Sequence, residues 1–181
     1  GLWNYAFQNK LSDIYSNFPE IAIRAVTADN PDDLLRMVED RALDIGILFD
    51  SPNIPNFTTL SAGKIKLVLA STVPSTTAKK ALASNYIYVD WGTAFNIFHA
   101  KKFNDVSPSI LRTTMASIAV SFMASCPSSA YLPEAMVAAS DIPNLQVIKG
   151  APSFSREVSL IYRTNSDRLD LIKQVLHLLN I

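Results

Sequence analysis

One stretch constrains the fold more than any other: residues 30–50, NPDDLLRMVEDRALDIGILFD. Asn30 is a strong helix cap, and Pro31 suits the first helical position because its missing N–H would have no partner there. Asp32 and Asp33 then occupy the first turn, where the helix dipole favours negative charge. Leu34, Leu35 and Val38 fall on one face and predict the buried side. The helix is expected to end near Arg41 and Ala42. Leu43 and Asp44 lead into a short, continuous apolar run, residues 45–49, read as a strand buried on both faces of a parallel sheet. A helix over 3–18 and a strand over 21–26 precede it, so the chain alternates helix and strand from the start.

The alternation continues. Pro19 stops the first helix, whose apolar stripe is Trp3, Phe7, Leu11, Ile14, Tyr15 and Phe18. Residues 64–71 alternate as a strand. The Ser/Thr/Pro-rich segment 72–77 marks a boundary. Beyond it, strands are expected over 86–89, 109–113, 130–132 and 145–148, with helices over 77–83, 92–103, 116–124 and 134–139. Residues 154–163 alternate as a long strand. Asp167 is expected to cap or open a last helix with Leu169, Ile172, Val175, Leu176 and Leu179 inward. This order predicts two lobes, residues 1–71 with 157–181 and residues 72–156, joined by two crossing strands. The cleft between them is the expected ligand site.

Composition excludes several functions. The 181 residues carry formal net charge +0, so no basic face for nucleic acid is indicated. The doublets Lys79–Lys80 and Lys101–Lys102 read as solvated surface. Cys126 is the only cysteine, which excludes an internal disulfide and a cysteine metal cluster and fits a reducing compartment, here the cytoplasm. Two separated histidines make no metal motif, and five glycines leave no room for a phosphate loop. His99 and Cys126 lack an oriented third member for nucleophilic catalysis. The carboxylates Asp32, Asp33, Glu39 and Asp40 read as capping and solubility. No catalytic residue, metal or cofactor is therefore expected, and no apolar run is long enough to span a membrane.

The order of pieces resembles the effector-binding domain of LysR-type transcriptional regulators. The carrying residues are Ile14-Tyr15-Ser16-Asn17-Phe18-Pro19-Glu20-Ile21, then Ala42-Leu43-Asp44-Ile45-Gly46-Ile47, then Leu132-Pro133-Glu134 after an apolar helix. Cys126-Pro127-Ser128-Ser129 stands where that family has glycines. Leu2-Trp3, Leu43-Asp44 and Asp90-Trp91-Gly92 look like one branch of the family. The resemblance implies an α/β, two-lobed type 2 periplasmic-binding-protein-like fold, with mixed sheets flanked by helices. It also implies a winged helix-turn-helix and a first sheet strand lying ahead of Leu2. Gly1-Leu2-Trp3-Asn4 reads as a helix already under way, so this chain is expected to be a fragment. Without that strand, a compensating contact, a disordered start or a truncated chain of reduced stability is expected.

By the same resemblance, effector contacts fall at the starts of four helical segments: Leu2, Trp3 and Asn4; Ala28, Asp29 and Asn30; Thr93, Ala94 and Phe95; Thr113, Thr114 and Ser117. Free backbone N–H groups at such starts suit anions. Plain helix capping is an equally good account of Asn30, Thr114 or Ser117 taken singly. Asp29 and Asp90 would oppose an anionic effector, so effector charge stays open. The implied function is sensing of a small molecule in the interlobe cleft, with assembly into a homodimer or tetramer and DNA contact only through the N-terminal domain. Trp3, Phe7 and the apolar face of the 30–41 helix serve either the core or subunit pairing. Two other readings stand beside it: a free-standing solute-binding protein of the same fold, and an oligomerisation module whose vestigial cleft is filled by Trp91, Phe95 and Met115.

Overall fold

The computed structural model describes residues 10–28, 30–51, 53–103 and 107–179. The chain divides into two compact units, Ile65–Ser155 on one hand and Leu2–Lys64 with Arg156–Ile181 on the other. It passes from one to the other inside strand β2 (Phe57–Ser71) and back at the start of strand β7 (Phe154–Arg163).

The discontinuous unit begins, among the described residues, with helix α1 (Leu11–Asn17). The remainder of the expected first helix lies outside the described residues. Helix α2 (Pro31–Glu39) follows, capped as its sequence dictates: the Asn30 side chain accepts from the Asp33 amide at 2.9 Å. Arg41 then turns the chain in the left-handed region at φ 61°, and β1 (Gly46–Phe49) begins.

Two expectations fail here. Residues 21–26 form no strand; Ile23 and Val26 are exposed, and no ladder partner faces them among the described residues. A β-prone segment without a partner leaves its backbone groups to water. Among the described residues strand β1 has no parallel partner: it runs antiparallel to β7, with Gly46 opposite Ile161 and Phe49 opposite Val158. Its burial alternates between buried and half-buried, with Gly46 against Val38 of α2 and Ile47 against the cluster around Leu160.

Strand β7 lies between β1 and β2 and is the strand buried on both faces. Leu160 and Tyr162 pack on Ile172 and Leu176 of helix α7 (Leu169–Leu178). Ile161 points the other way, beside Gly46 and Val38 of α2. Asp167 does not open α7. Arg168 is the capping position and makes no side-chain cap, whereas Asp167 pairs with Arg163 at 3.2 Å and Arg41 at 3.7 Å. Its own backbone N–H and then Arg41 hold its carboxyl below the usual range.

The continuous unit holds a mixed sheet in the order β6-β2-β5-β3-β4. Here β3 is Tyr86–Val89, β4 Leu111–Thr113, β5 Ser129–Pro133 and β6 Gln146–Val147. Strand β3 is parallel to both β4 and β5, while β2 is antiparallel to β5 and β6. Helices α3 (Ala78–Ala83, capped by Thr77), α4 (Thr93–Lys102), α5 (Ala116–Ser125) and α6 (Glu134–Ala138) connect them. The turn that lacks the family's glycines is held by side chains instead. The Ser128 amide donates to Thr72 Oγ1 at 3.0 Å, Ser128 Oγ donates to the Cys126 carbonyl at 2.8 Å, and Asn85 Nδ2 donates to the Pro127 carbonyl at 3.1 Å.

Candidate functional site

The site is built by the parallel pair β3–β4. Their carboxyl ends lie side by side, and the Asp90 amide donates to the Thr113 carbonyl at 2.8 Å. Each strand then feeds a helix, α4 after β3 and α5 after β4. Crevices beyond the carboxyl ends of parallel strands collect ligands, because helix starts and strand ends converge there.

A groove of about 400 Å³ opens at this edge of the continuous unit. Strand β3 contributes Tyr88 and the following Asp90. Strand β4 contributes Arg112 and Thr113. Thr114, Met115 and Ile118 complete it from the start of α5. Side chains two apart on a strand share a face, so Tyr86, Tyr88 and Asp90 form one row, and Arg112 stands opposite Tyr88 in the ladder.

Each polar group is held by identifiable partners. Tyr88 donates to Asn96 Oδ1 of α4 at 2.6 Å. Asp90 Oδ1 accepts from the Gly92 amide at 2.8 Å and from Asn96 Nδ2 at 3.2 Å. Gly92 has φ 91°, a conformation that only glycine adopts freely, so a residue with a side chain would not start α4 here. The Arg112 guanidinium lies 4.6 Å from the centre of the Tyr88 ring, a cation–π contact. Thr113 Oγ1 accepts from the Met115 amide at 3.0 Å. The ladder of α5 begins with the Ile118 amide, which donates to the Met115 carbonyl at 3.2 Å, so the Ala116 and Ser117 amides precede it.

Burial and Asp90 raise the Tyr88 phenol above its ordinary pKa, and Arg112 opposes them. The phenol therefore stays protonated and remains a donor at neutral pH.

The expected site residues divide sharply. Thr113 and Thr114 line the groove. Ser117 is exposed on the first turn of α5, and Thr93 and Ala94 are exposed at the start of α4. Phe95 is 0% exposed and sits among Tyr88, Phe98, Tyr131 and Phe154, so its ring belongs to the core. Trp91 is also buried, its Nε1 donating to the Tyr131 carbonyl at 3.0 Å. Asn30 caps α2 and Ala28 is half-buried in the other unit. Leu2, Trp3, Asn4 and Asp29 lie outside the described residues. Arg112, Tyr88, Met115 and Ile118 were not among the expected site residues. The signal for the first two is the alternation of β3 and β4, which places every second residue before a strand's end on one face.

Among the described residues no group of three His, Cys, Asp or Glu side chains is placed to hold a metal ion. Cys126 is exposed at the end of α5. In the discontinuous unit a smaller polar hollow of about 120 Å³ is lined by Arg41, Arg163 and Arg168 with Asp44 and Asp167, groups already paired with one another. No helix among the described residues is long and apolar enough to cross a membrane.

Mixed α/β units joined by two crossing strands, with a groove at parallel strand ends, define the type 2 periplasmic-binding-protein-like fold. Solved structures agree. The reduced OxyR regulatory domain from Pseudomonas aeruginosa superposes with a TM-score of 0.74 at 14% identity, covering 98% of this chain and 91% of that one. The regulatory domain of an AphB variant from Vibrio vulnificus gives 0.74 at 14% identity, covering 100% and 95%. Residues 2–180 match the LysR substrate binding domain family, and the chain belongs to it. Curated relatives include the HTH-type transcriptional regulator HdfR of Yersinia enterocolitica, 26% identical over 184 residues, and that of Yersinia pestis, 24% identical. The alignments cover 97% of this chain and 62% of each relative, so the chain spans about three-fifths of their length.

Proposed function

We propose that this chain is the effector-binding and oligomerisation domain of a LysR-type DNA-binding transcriptional regulator, working in the cytoplasm as a homodimer or tetramer and not as an enzyme. A small-molecule effector occupies the groove at the ends of β3 and β4. Binding there shifts the domain between states that differ in affinity for the effector, and the coupled change in subunit geometry alters how the DNA-binding segments of the parent protein meet an operator. One observation carries this reading: in a chain of this family, a groove of about 400 Å³ combines a fixed cation, a fixed carboxylate, threonine hydroxyls and apolar Met115 and Ile118. That mixture of an apolar wall and few polar groups suits a small ligand. Exposed Ile110, just ahead of β4, leaves apolar surface for subunit contact.

The test is the thermal midpoint of this chain against a panel of small metabolites, with its mass measured in solution. A ligand at a hundred times its Kd adds about 2.7 kcal/mol to the native state. A concentration-dependent rise that is lost in Thr114→Trp supports the reading. No rise with any compound, and a stable dimer in solution, overturns the sensor and leaves an oligomerisation module.

A further inference from the structure

We infer that the groove's ligand is a zwitterion, carrying an ammonium and a carboxylate close together with an apolar remainder: the chemistry of a free α-amino acid with an apolar side chain. The inference deepens the effector-site reading above and rests on it.

Two opposite charges line this groove without neutralising each other. Arg112 lies over the Tyr88 ring at 4.6 Å, and no carboxylate pairs with it among the described residues. Asp90 spends Oδ1 on the Gly92 amide and Asn96, while Oδ2 has no hydrogen bond among the described residues. The ladder explains why they stay apart. Tyr88 is the direct partner of Arg112, so Asp90, two residues on along the same face, is its diagonal neighbour and not its direct one. Tyr88 touches both sides of the gap: its ring carries Arg112, and its hydroxyl donates to Asn96, whose Nδ2 donates to Asp90.

A ligand with only a carboxylate would satisfy Arg112 and be repelled by Asp90. A ligand with only an ammonium would face the converse. A molecule with both groups on one carbon offers its carboxylate to Arg112 and its ammonium to Asp90 Oδ2. Charge-assisted hydrogen bonds of about 2.8 Å at each end fill the diagonal gap. Met115 and Ile118, each 45% exposed, line the same groove and would cover an apolar side chain. Specificity would come from the unpaired charge left behind by any ligand lacking one group.

The experiment measures the thermal midpoint and calorimetric binding of the 181-residue chain with three sets of probes. These are the common α-amino acids, their N-acetyl derivatives and their α-amides. We expect at least one apolar amino acid to bind, with its N-acetyl and amide forms at least tenfold weaker. Arg112→Gln and Asp90→Asn are each expected to weaken it at least tenfold, and Asp90→Asn to do so with an unchanged urea midpoint, since its carboxamide keeps an acceptor for the Gly92 amide. An N-acetyl form or an amide that binds as well as its parent overturns the zwitterion and leaves a simple ion site. Full affinity in Asp90→Asn overturns it too. Silence from all three sets, with a metabolite of other chemistry giving a shift that Thr114→Trp abolishes, overturns the zwitterion and keeps the sensor. Silence from every compound overturns both.

Discussion

The phenol oxygen of Tyr86 lies 2.9 Å from Nε2 of His99, and the two rings stack with centroids 5.5 Å apart. Tyr86 is the innermost of the row that leads to the groove, and His99 is the far end of α4, so this pair fixes the helix whose start carries Asn96 and Gly92. Tyr88, Phe95, Phe103 and Tyr131 close round the imidazole. Burial keeps His99 below its ordinary pKa of 6.5 and holds the Tyr86 phenol well above its own. At neutral pH the imidazole is therefore neutral and the phenol protonated, and the two share one hydrogen bond.

A pH dependence follows. The unfolded chain takes up the His99 proton near 6.5, while the folded chain resists until lower pH, so the unfolded state binds more protons in between. Stability should be constant above about pH 7.5 and fall as pH drops through roughly 6.5 toward the depressed folded value. Urea midpoints between about pH 7.5 and 5.5 check this. His99→Gln should lose much of the slope in that window whatever its absolute stability. Tyr86→Phe leaves Nε2 without its partner and should cost about 1–3 kcal/mol at neutral pH.

The Asn30 cap gives a second, smaller number. Its side chain accepts from the Asp33 amide at 2.9 Å and donates to the Asp33 carboxylate. Asn30→Ala should cost about 1 kcal/mol, and Asn30→Gly only a few tenths. Because Asn30 is exposed, no cavity accompanies either change, and denaturant midpoints at constant m-value read the cap alone.

That cap also shows what was legible in the sequence and what was not. Asn30, Pro31 and the Leu34/Leu35/Val38 spacing are local, and α2 follows from them. The strand limits 86–89 and 154–163 were legible for the same reason, since alternation and flanking turn residues sit within the segment. Pairing is not local. That β1 meets β7 antiparallel depends on residues far along the chain. Residues 21–26 have strand composition, yet no described neighbour supplies the ladder. Phe95 occupied a helix start, which predicted ligand contact. Its fate was decided by Tyr131 and Phe154 from two distant strands, together with Phe98 of its own helix. Arg112 was equally hidden, because its role needs the register with Tyr88.

Two glycines separate space from backbone conformation. A Cβ on Gly46 would meet Ile161 Cγ1 at 3.0 Å and Val38 Cγ2 at 3.2 Å. Val38 is 0% exposed and tightly packed, so Gly46→Ala should cost about 1–3 kcal/mol through overpacking. Gly63 has φ +97° and nothing within 4 Å of an added Cβ. Gly63→Ala should cost about 1–2 kcal/mol from the left-handed conformation alone. Val38→Ala in the Gly46→Ala background should recover part of the first loss relative to additivity, a coupling that Gly63→Ala should not show.

The segment where β7 starts carries the last expectation. Asp50 sits in the left-handed region at φ 47°. Its Oδ2 takes the Arg156 guanidinium at 2.7 Å and 2.8 Å, and its Oδ1 accepts from the Glu157 amide at 3.1 Å. Arg156 is only 11% exposed and lies 4.3 Å from the centre of the Phe49 ring. One carboxylate thus ties the end of β1 to the start of β7, and Asp50 is a residue that tolerates that backbone. Asp50→Ala removes the anchor and adds backbone strain, and should cost about 2–4 kcal/mol. Asp50→Asn keeps the acceptor for Glu157 and the tolerance of positive φ, and should recover more than half of that loss. If instead Asp50→Asn is as damaging as Asp50→Ala, the charge on Arg156 dominates, and raising the salt concentration should weaken the wild-type chain by a similar margin.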